Sequence, residues 1–212
     1  MDIPESIVES GLDQAWKELD KLDPEHICLR SGAAYDSASG QYSLLSFGQQ
    51  IAVSPDHRSV QASSEVGRIL VEDLGELFIL SLVWYLVEAK DAACTGRLVR
   101  PTEIPGGDMF ARGTHVLPLD RIAARFGGHL HSFFTIGEEL AADRPDYGDA
   151  ALTLRAFPKV QVTVVLWAGD EELPAKASLL FDSTAHLHLP VDILWSTAMI
   201  SLQLLRQADH RL

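Results

Sequence analysis

Cysteine is scarce. Cys28 and Cys94 are the two cysteines in 212 residues; they lie far apart and match no metal-binding or redox spacing, which excludes a disulfide framework or a cysteine-ligated cluster built by this chain alone. That usage fits a reducing compartment. Positive charge is also short, with 17 Lys and Arg against 30 Asp and Glu. The resulting formal charge of -13 repels phosphate backbones and anionic headgroups, so neither nucleic acid nor a membrane surface is an expected partner. No apolar run is long: Leu77 to Val87, broken by Ser81, falls well short of the roughly 20 residues that cross a bilayer. The opening residues Met1 to Ser6 lack the basic stretch followed by an apolar one that a secretory signal needs, and a cytoplasmic location is expected. Familiar catalytic patterns are missing too: no phosphate loop, no dinucleotide glycine fingerprint, no nucleophile elbow and no His-Glu-x-x-His helix.

What is present is enough apolar material, 47% of residues, to bury one sizeable core, and the expectation is one α+β domain over 1–212. Ser6 caps an expected first helix to about Leu22, with Val8, Leu12, Ala15, Trp16 and Leu19 on one face. From His26 to about Ser63, apolar pieces alternate with turn chemistry at Asp36–Gly40, Gly48–Gln50 and Ser54–His57, which predicts a three- or four-stranded antiparallel meander. A long helix then runs from Ser63 or Ser64 to about Ala89, too apolar to lie anywhere but in the core. The stretch from Thr95 to Gly148 is broken by Gly and Pro and predicts loops with two short helices, Pro118 to Phe126 and Leu130 to Ala142. Alternation over Val160–Leu166 and Ala175–Phe181 predicts a hairpin closed by Gly169–Pro174, and a last helix starts at Pro190. The expected architecture is an antiparallel sheet, N-terminal meander plus C-terminal hairpin, covered by helices.

Four features carry candidate chemistry. Asp170, Glu171 and Glu172 supply hard oxygen ligands for a divalent cation, with Asp182 joining them if the hairpin folds back, although an acidic tip is ordinarily just solvated. His186 and His188 precede Pro190, so an extended backbone would point both imidazoles to one side as a chelating pair; His129 and His131, at an expected helix start, are less suited to it. Pro105, Gly106 and Gly107 form a loop that lets backbone approach a ligand closely, though a tight turn explains it equally. Trp167 belongs with Trp84, Tyr85, Phe110, Phe126, Phe133, Phe134 and Trp195 to an aromatic set able to line a flat cofactor, with Met109, Met199, His115 or His129 as axial ligands, or simply to pack the core.

The segments Phe157-Pro158-Lys159-Val160, Leu166 to Ala175 with its Gly-Asp-Glu-Glu-x-Pro-Ala hairpin, Leu180-Phe181-Asp182 and Leu189-Pro190 resemble a prokaryotic domain family of unknown function. The resemblance extends upstream through Tyr42-x-Leu44-x-x-Phe47-Gly48, Tyr85 to Ala89, Gly96, Pro105-Gly106-Gly107 and Phe126-Gly127. Relatives in that family are sometimes joined to a four-cysteine iron–sulfur module of the kind found in corrinoid and carbon monoxide metabolism. The resemblance therefore implies a non-catalytic accessory protein that binds a cofactor, a metal, or a redox or corrinoid partner in anaerobic one-carbon metabolism. This chain lacks the four cysteines, and it carries Trp84 in the central helix where relatives often carry His. Two other readings stand beside it: a metal-dependent enzyme built on the acidic hairpin, and a purely structural interaction module whose acidic surface docks a basic partner.

Overall fold

The computed structural model describes residues 5–208. Helix α1 (Glu5–Leu19) buries Val8, Ala15, Trp16 and Leu19 at helical spacing against a later helix while Glu9, Lys17 and Asp20 face water. It takes in Ser6, expected as its cap, and stops short of Leu22. Helix α2 (Pro24–Ser31) stands where the meander was expected to begin. Its cause is local: Asp23 Oδ1 accepts from the amides of Glu25 (3.0 Å) and His26 (3.2 Å), Pro24 fills the first helical position, and Gly32 at φ 74° ends it.

The meander itself has four strands, β1 (Ala34–Asp36), β2 (Gln41–Ser46), β3 (Gln49–Ser54) and β4 (Ser59–Ala62), paired antiparallel in that order. The expected single long helix is broken into α3 (Glu65–Arg68), a π-helical turn (Ile69–Asp73) and α4 (Gly75–Glu88), with Gly75 at φ 46° making the break. Ser64 caps α3 by accepting from the Gly67 amide at 3.0 Å. As its composition requires, α4 buries side chains around nearly its whole circumference, Phe78, Leu80, Leu82, Val83, Tyr85 and Leu86 among them. It packs against α1, α2 and a helix at the C-terminal end of the described residues.

A second antiparallel sheet is formed by β5 (Leu98–Val99), β6 (Ala150–Phe157), β7 (Val160–Trp167) and β8 (Lys176–Asp182) in the order β5-β8-β7-β6. The hairpin β7–β8 agrees with the periodicity; β6 was not anticipated. Its stretch Ala150–Leu154 is buried on both faces, so the alternation that betrays a half-exposed strand is lacking. Thr153 and Thr163, opposite each other on β6 and β7, satisfy one another with a buried hydroxyl pair at 2.9 Å. The two sheets meet where the Phe47 amide donates to Arg155 O (2.8 Å) and Ser46 Oγ to Ala156 O (2.6 Å).

Between the sheets in sequence, three short 3₁₀ turns within 101–115 lead to α5 (Leu119–Phe126) and α6 (Leu130–Glu139), which cover the second sheet. Gly127 follows α5, as expected, and a Cβ there would lie 2.2 Å from that of Ala175. The chain closes with α7 (Ala185–His188) and α8 (Val191–Ala208), the latter packed on α4. Buried apolar side chains from Val8 to Leu205 form one continuous cluster.

Candidate functional site

At the C-terminal end of β8 sits Asp182, fully buried, and among the described residues the one carboxylate in the core. Burial of a carboxylate is unfavourable unless donors surround it, and here they come from two sides. Gly96 N donates to Oδ2 at 2.7 Å, and Thr95 donates to Oδ1 from both its amide and its hydroxyl at 3.2 Å. Thr184 adds its amide (3.0 Å) and hydroxyl (2.7 Å) to the same Oδ1. Desolvation by itself pushes the carboxyl pKa up, but the bonds from Thr184, Thr95 and Gly96 outweigh it and hold the pKa below the usual range. Asp182 is thus an ionised internal anchor that ties the loop after α4 to the start of α7.

His188 lies at the same end of the sheet, wholly buried, on α7. The backbone amide of Lys90 donates to its Nδ1 at 3.3 Å, which places the proton of the neutral ring on Nε2. Nε2 is buried with no protein partner among the described residues, as is Nδ1 of His186. Burial, reinforced by the nearby Lys159 ammonium, pulls the His188 pKa down to about 4. The ring is therefore a neutral donor at Nε2. Binding a metal there would require the proton to move to Nδ1 and the Lys90 bond to break. The expected extended His-x-His pair is helical instead, and residues two apart on a helix do not share a face.

Lys159, Cys94 and Tyr85 complete this node through polar contacts that no spacing in the sequence marks. Lys159 donates from Nζ to Lys90 O (3.1 Å), Cys94 Sγ donates to Lys159 O (3.5 Å), and burial raises the Cys94 thiol pKa. The hydroxyl of Tyr85 donates to Ser31 O at 2.6 Å and accepts from the Lys159 amide at 3.2 Å, while its ring stacks on Phe157 at 4.8 Å. Burial drives the Tyr85 pKa upward, so the hydroxyl stays protonated as a bridge between α2, α4 and the β6–β7 turn.

The other expected groups lie elsewhere. Asp170, Glu171 and Glu172 are exposed at the β7–β8 tip, and Asp182 is at the far end of β8, some 20 Å along the strand from Lys176 at about 3.3 Å per residue; the hairpin does not bring it to the tip. Among the described residues no group of three or more His, Cys, Asp or Glu side chains is placed to hold a metal ion. Gly106 and Gly107 serve a close approach within the chain itself: a Cβ on Gly107 would lie 1.8 Å from Pro101 O, and one on Gly106 would lie 3.2 Å from Val191 Cγ1. Phe110 packs on Phe181 (5.8 Å) and Phe126 on Phe133 (5.4 Å), and Trp195 Nε1 donates to His115 O at 2.6 Å. Trp167 is 40% exposed on the surface. A shallow cavity of about 280 Å³ between the end of α1 and α2 is lined by Leu22, Asp23, His26, Leu29 and Arg30, none of them an expected site residue.

The anchor at Asp182, the Gly106–Gly107 turn and the β7–β8 hairpin all lie inside a segment that matches a known family model, described as a domain of unknown function (DUF3786), over residues 23–203. The chain belongs to the DUF3786 family. No curated protein matches it, and no solved structure does. The DUF3786 match begins at Asp23, the cap of α2, and so leaves α1 outside it. Among the described residues of this DUF3786 protein, no helix is long and apolar enough to cross a membrane.

Proposed function

We propose that this DUF3786 chain is a non-catalytic accessory protein that acts by binding a partner, in the anaerobic redox or corrinoid-linked one-carbon metabolism that the family resemblance implies. The observation that carries this reading is the commitment of Asp182. The best-buried ionisable acid of the fold, the type of group that enzymes keep free for proton transfer, directs both oxygens at Thr95, Gly96 and Thr184. Its neighbour His188 holds Lys90 by Nδ1, and Tyr85 spans two backbone groups. These groups brace the fold, and aromatic residues that would otherwise line a flat cofactor pack on one another. Binding a protein is therefore favoured over holding a cofactor or metal.

The test is purification of the full chain without oxygen from its own host, followed by native mass spectrometry, an absorbance spectrum and elemental analysis. A stoichiometric complex with a redox or corrinoid protein is the expected result. Recovery of the chain alone, colourless and free of metal, would sink the proposal; a coloured ligand held without any partner would convert it into a cofactor carrier.

A further inference from the structure

Exposed large apolar side chains are ordinary when scattered and informative when gathered and held in place. Three of them are carried by segments that meet at one end of the second sheet. Trp167, the last residue of β7, is 40% exposed, Leu173 in the following turn is 68% exposed, and Tyr147 is 47% exposed. The turn is built rigidly. Asp170 Oδ1 accepts from the amides of Glu172 (2.8 Å) and Leu173 (2.7 Å), and the Asp170 amide donates to Leu173 O (2.9 Å). The loop carrying Tyr147 is tied to the same place, because the Asp149 amide donates to Leu166 O (2.9 Å) and the Ala168 amide to Asp149 Oδ2 (2.8 Å). Preorganisation of this kind removes much of the ordering cost of binding.

Carboxylates dominate the rim. Asp146, Asp149, Asp170, Glu171 and Glu172 are all exposed here, and one exposed cation, Lys176, paired with Trp167 across the ladder, rests its ammonium 5.9 Å from the centre of the Trp167 ring. An indole face that attracts one cation, ringed by carboxylates, is suited to Arg or Lys from outside. Tyr and Trp with an apolar neighbour are also the side chains that dominate protein interfaces.

We propose that the β7–β8 tip, with Trp167 at its centre and Tyr147 and Leu173 beside it, is the docking surface for a partner protein that presents an apolar patch ringed by Arg and Lys. The inference rests on reading the chain as a partner-binding module, and it names the surface and the chemistry of the partner. Charge reversal at Glu171 and Glu172 leaves the turn intact, because the bonds that build it come from Asp170 and from backbone amides.

The test places a photo-crosslinking phenylalanine derivative at Leu173, at Tyr147 or, as a control, at Leu45, which is 57% exposed on β2. Each full-length variant is irradiated in its own host under anaerobic conditions. One and the same protein, joined through an Arg- and Lys-rich surface from positions 173 and 147 but not from 45, is the expected outcome. Trp167→Ala, and separately Glu171→Lys with Glu172→Lys, should each reduce the cross-link at least tenfold while leaving the circular dichroism unchanged. When the irradiation is repeated in anaerobic lysate of the same cells, raising salt from 50 to 500 mM should weaken it as well. Equal cross-linking from position 45, a partner surface that is acidic or uncharged, or a cross-link to a second copy of this chain overturns the proposal. A stable complex that purifies without any cross-link at the tip overturns it while leaving the accessory role standing; no partner by either method removes both.

Discussion

Thr95 and Asp182 stand 87 residues apart and are joined by hydrogen bonds from the amide and the hydroxyl of Thr95 to the carboxylate, at 3.2 Å each. With Gly96 and Thr184 completing the set, removal of the carboxylate leaves several buried donors unanswered. Asp182→Ala is expected to lower the unfolding free energy by about 3 kcal/mol or more, on the basis of roughly 1–3 kcal/mol for each orphaned buried group. Asp182→Asn keeps one acceptor but turns an NH₂ toward donors, and should cost about 2 kcal/mol. Urea unfolding of the two variants beside wild type checks both the size and the order. If both variants unfold at the wild-type midpoint, the carboxylate is no anchor.

His188 makes stability depend on pH in a defined window. Its folded pKa is about 4 against an ordinary value of 6.5, so the folded state resists the proton that the unfolded chain accepts. Stability is complete above about 6.5, falls as pH drops toward 4, and loses nothing further from this group below that. The loss amounts to roughly 3 kcal/mol at 1.36 kcal/mol per unit. Asp182 acts lower, because its depressed pKa gives stability that is lost only as pH falls below the ordinary carboxylate value of 3.8. Denaturation midpoints measured from pH 8 to 3 should show the upper step in wild type and lose it in His188→Asn, whose amide oxygen takes the place of Nδ1 and can still accept from Lys90 N.

Local signals in the sequence located much of the fold and little of this node. The Ser64 cap, the β7–β8 alternation and the four-stranded meander each depend on neighbours a few residues away, and they are seen where expected. Helix α2 also had a local signal, Asp23-Pro24-Glu25, which the apolar pieces downstream concealed. Strand β6 had none, since burial on both faces erased its period. Asp182 was singled out for its carboxylate, but its partners at 95 and 96 and the Lys90–His188 bond across 98 residues are products of tertiary packing that no spacing encodes.

Gly107 offers a test of what the two-glycine turn is for. A Cβ at that position would fall 1.8 Å from the carbonyl oxygen of Pro101, and backbone must move to admit it. Gly107→Ala is therefore expected to cost on the order of 3 kcal/mol, in the range of strongly strained substitutions. Gly128→Ala, where a Cβ meets nothing within 4 Å and φ is ordinary, should change the melting temperature little. A Gly107→Ala protein as stable as wild type would mean that the turn does not depend on the Pro101 approach.

The acidic tip should divide by role, although its three carboxylates are adjacent. Asp170 builds the turn through the amides of Glu172 and Leu173, which also holds its pKa below the ordinary carboxylate value. Loss of those bonds in Asp170→Ala is expected to lower the melting temperature, because the amides of Leu173 and Glu172 lose their acceptor. Glu171→Gln and Glu172→Gln remove charge without removing a turn-building bond, and each should stay within about 0.5 kcal/mol of wild type, as exposed substitutions do. Thermal unfolding of the three variants at pH 7 and 150 mM salt reads the division directly. A large cost at Glu171 or Glu172 would show that their carboxylates brace the tip, and the acidic rim would then be a structural feature of the hairpin rather than charge left free for a basic partner.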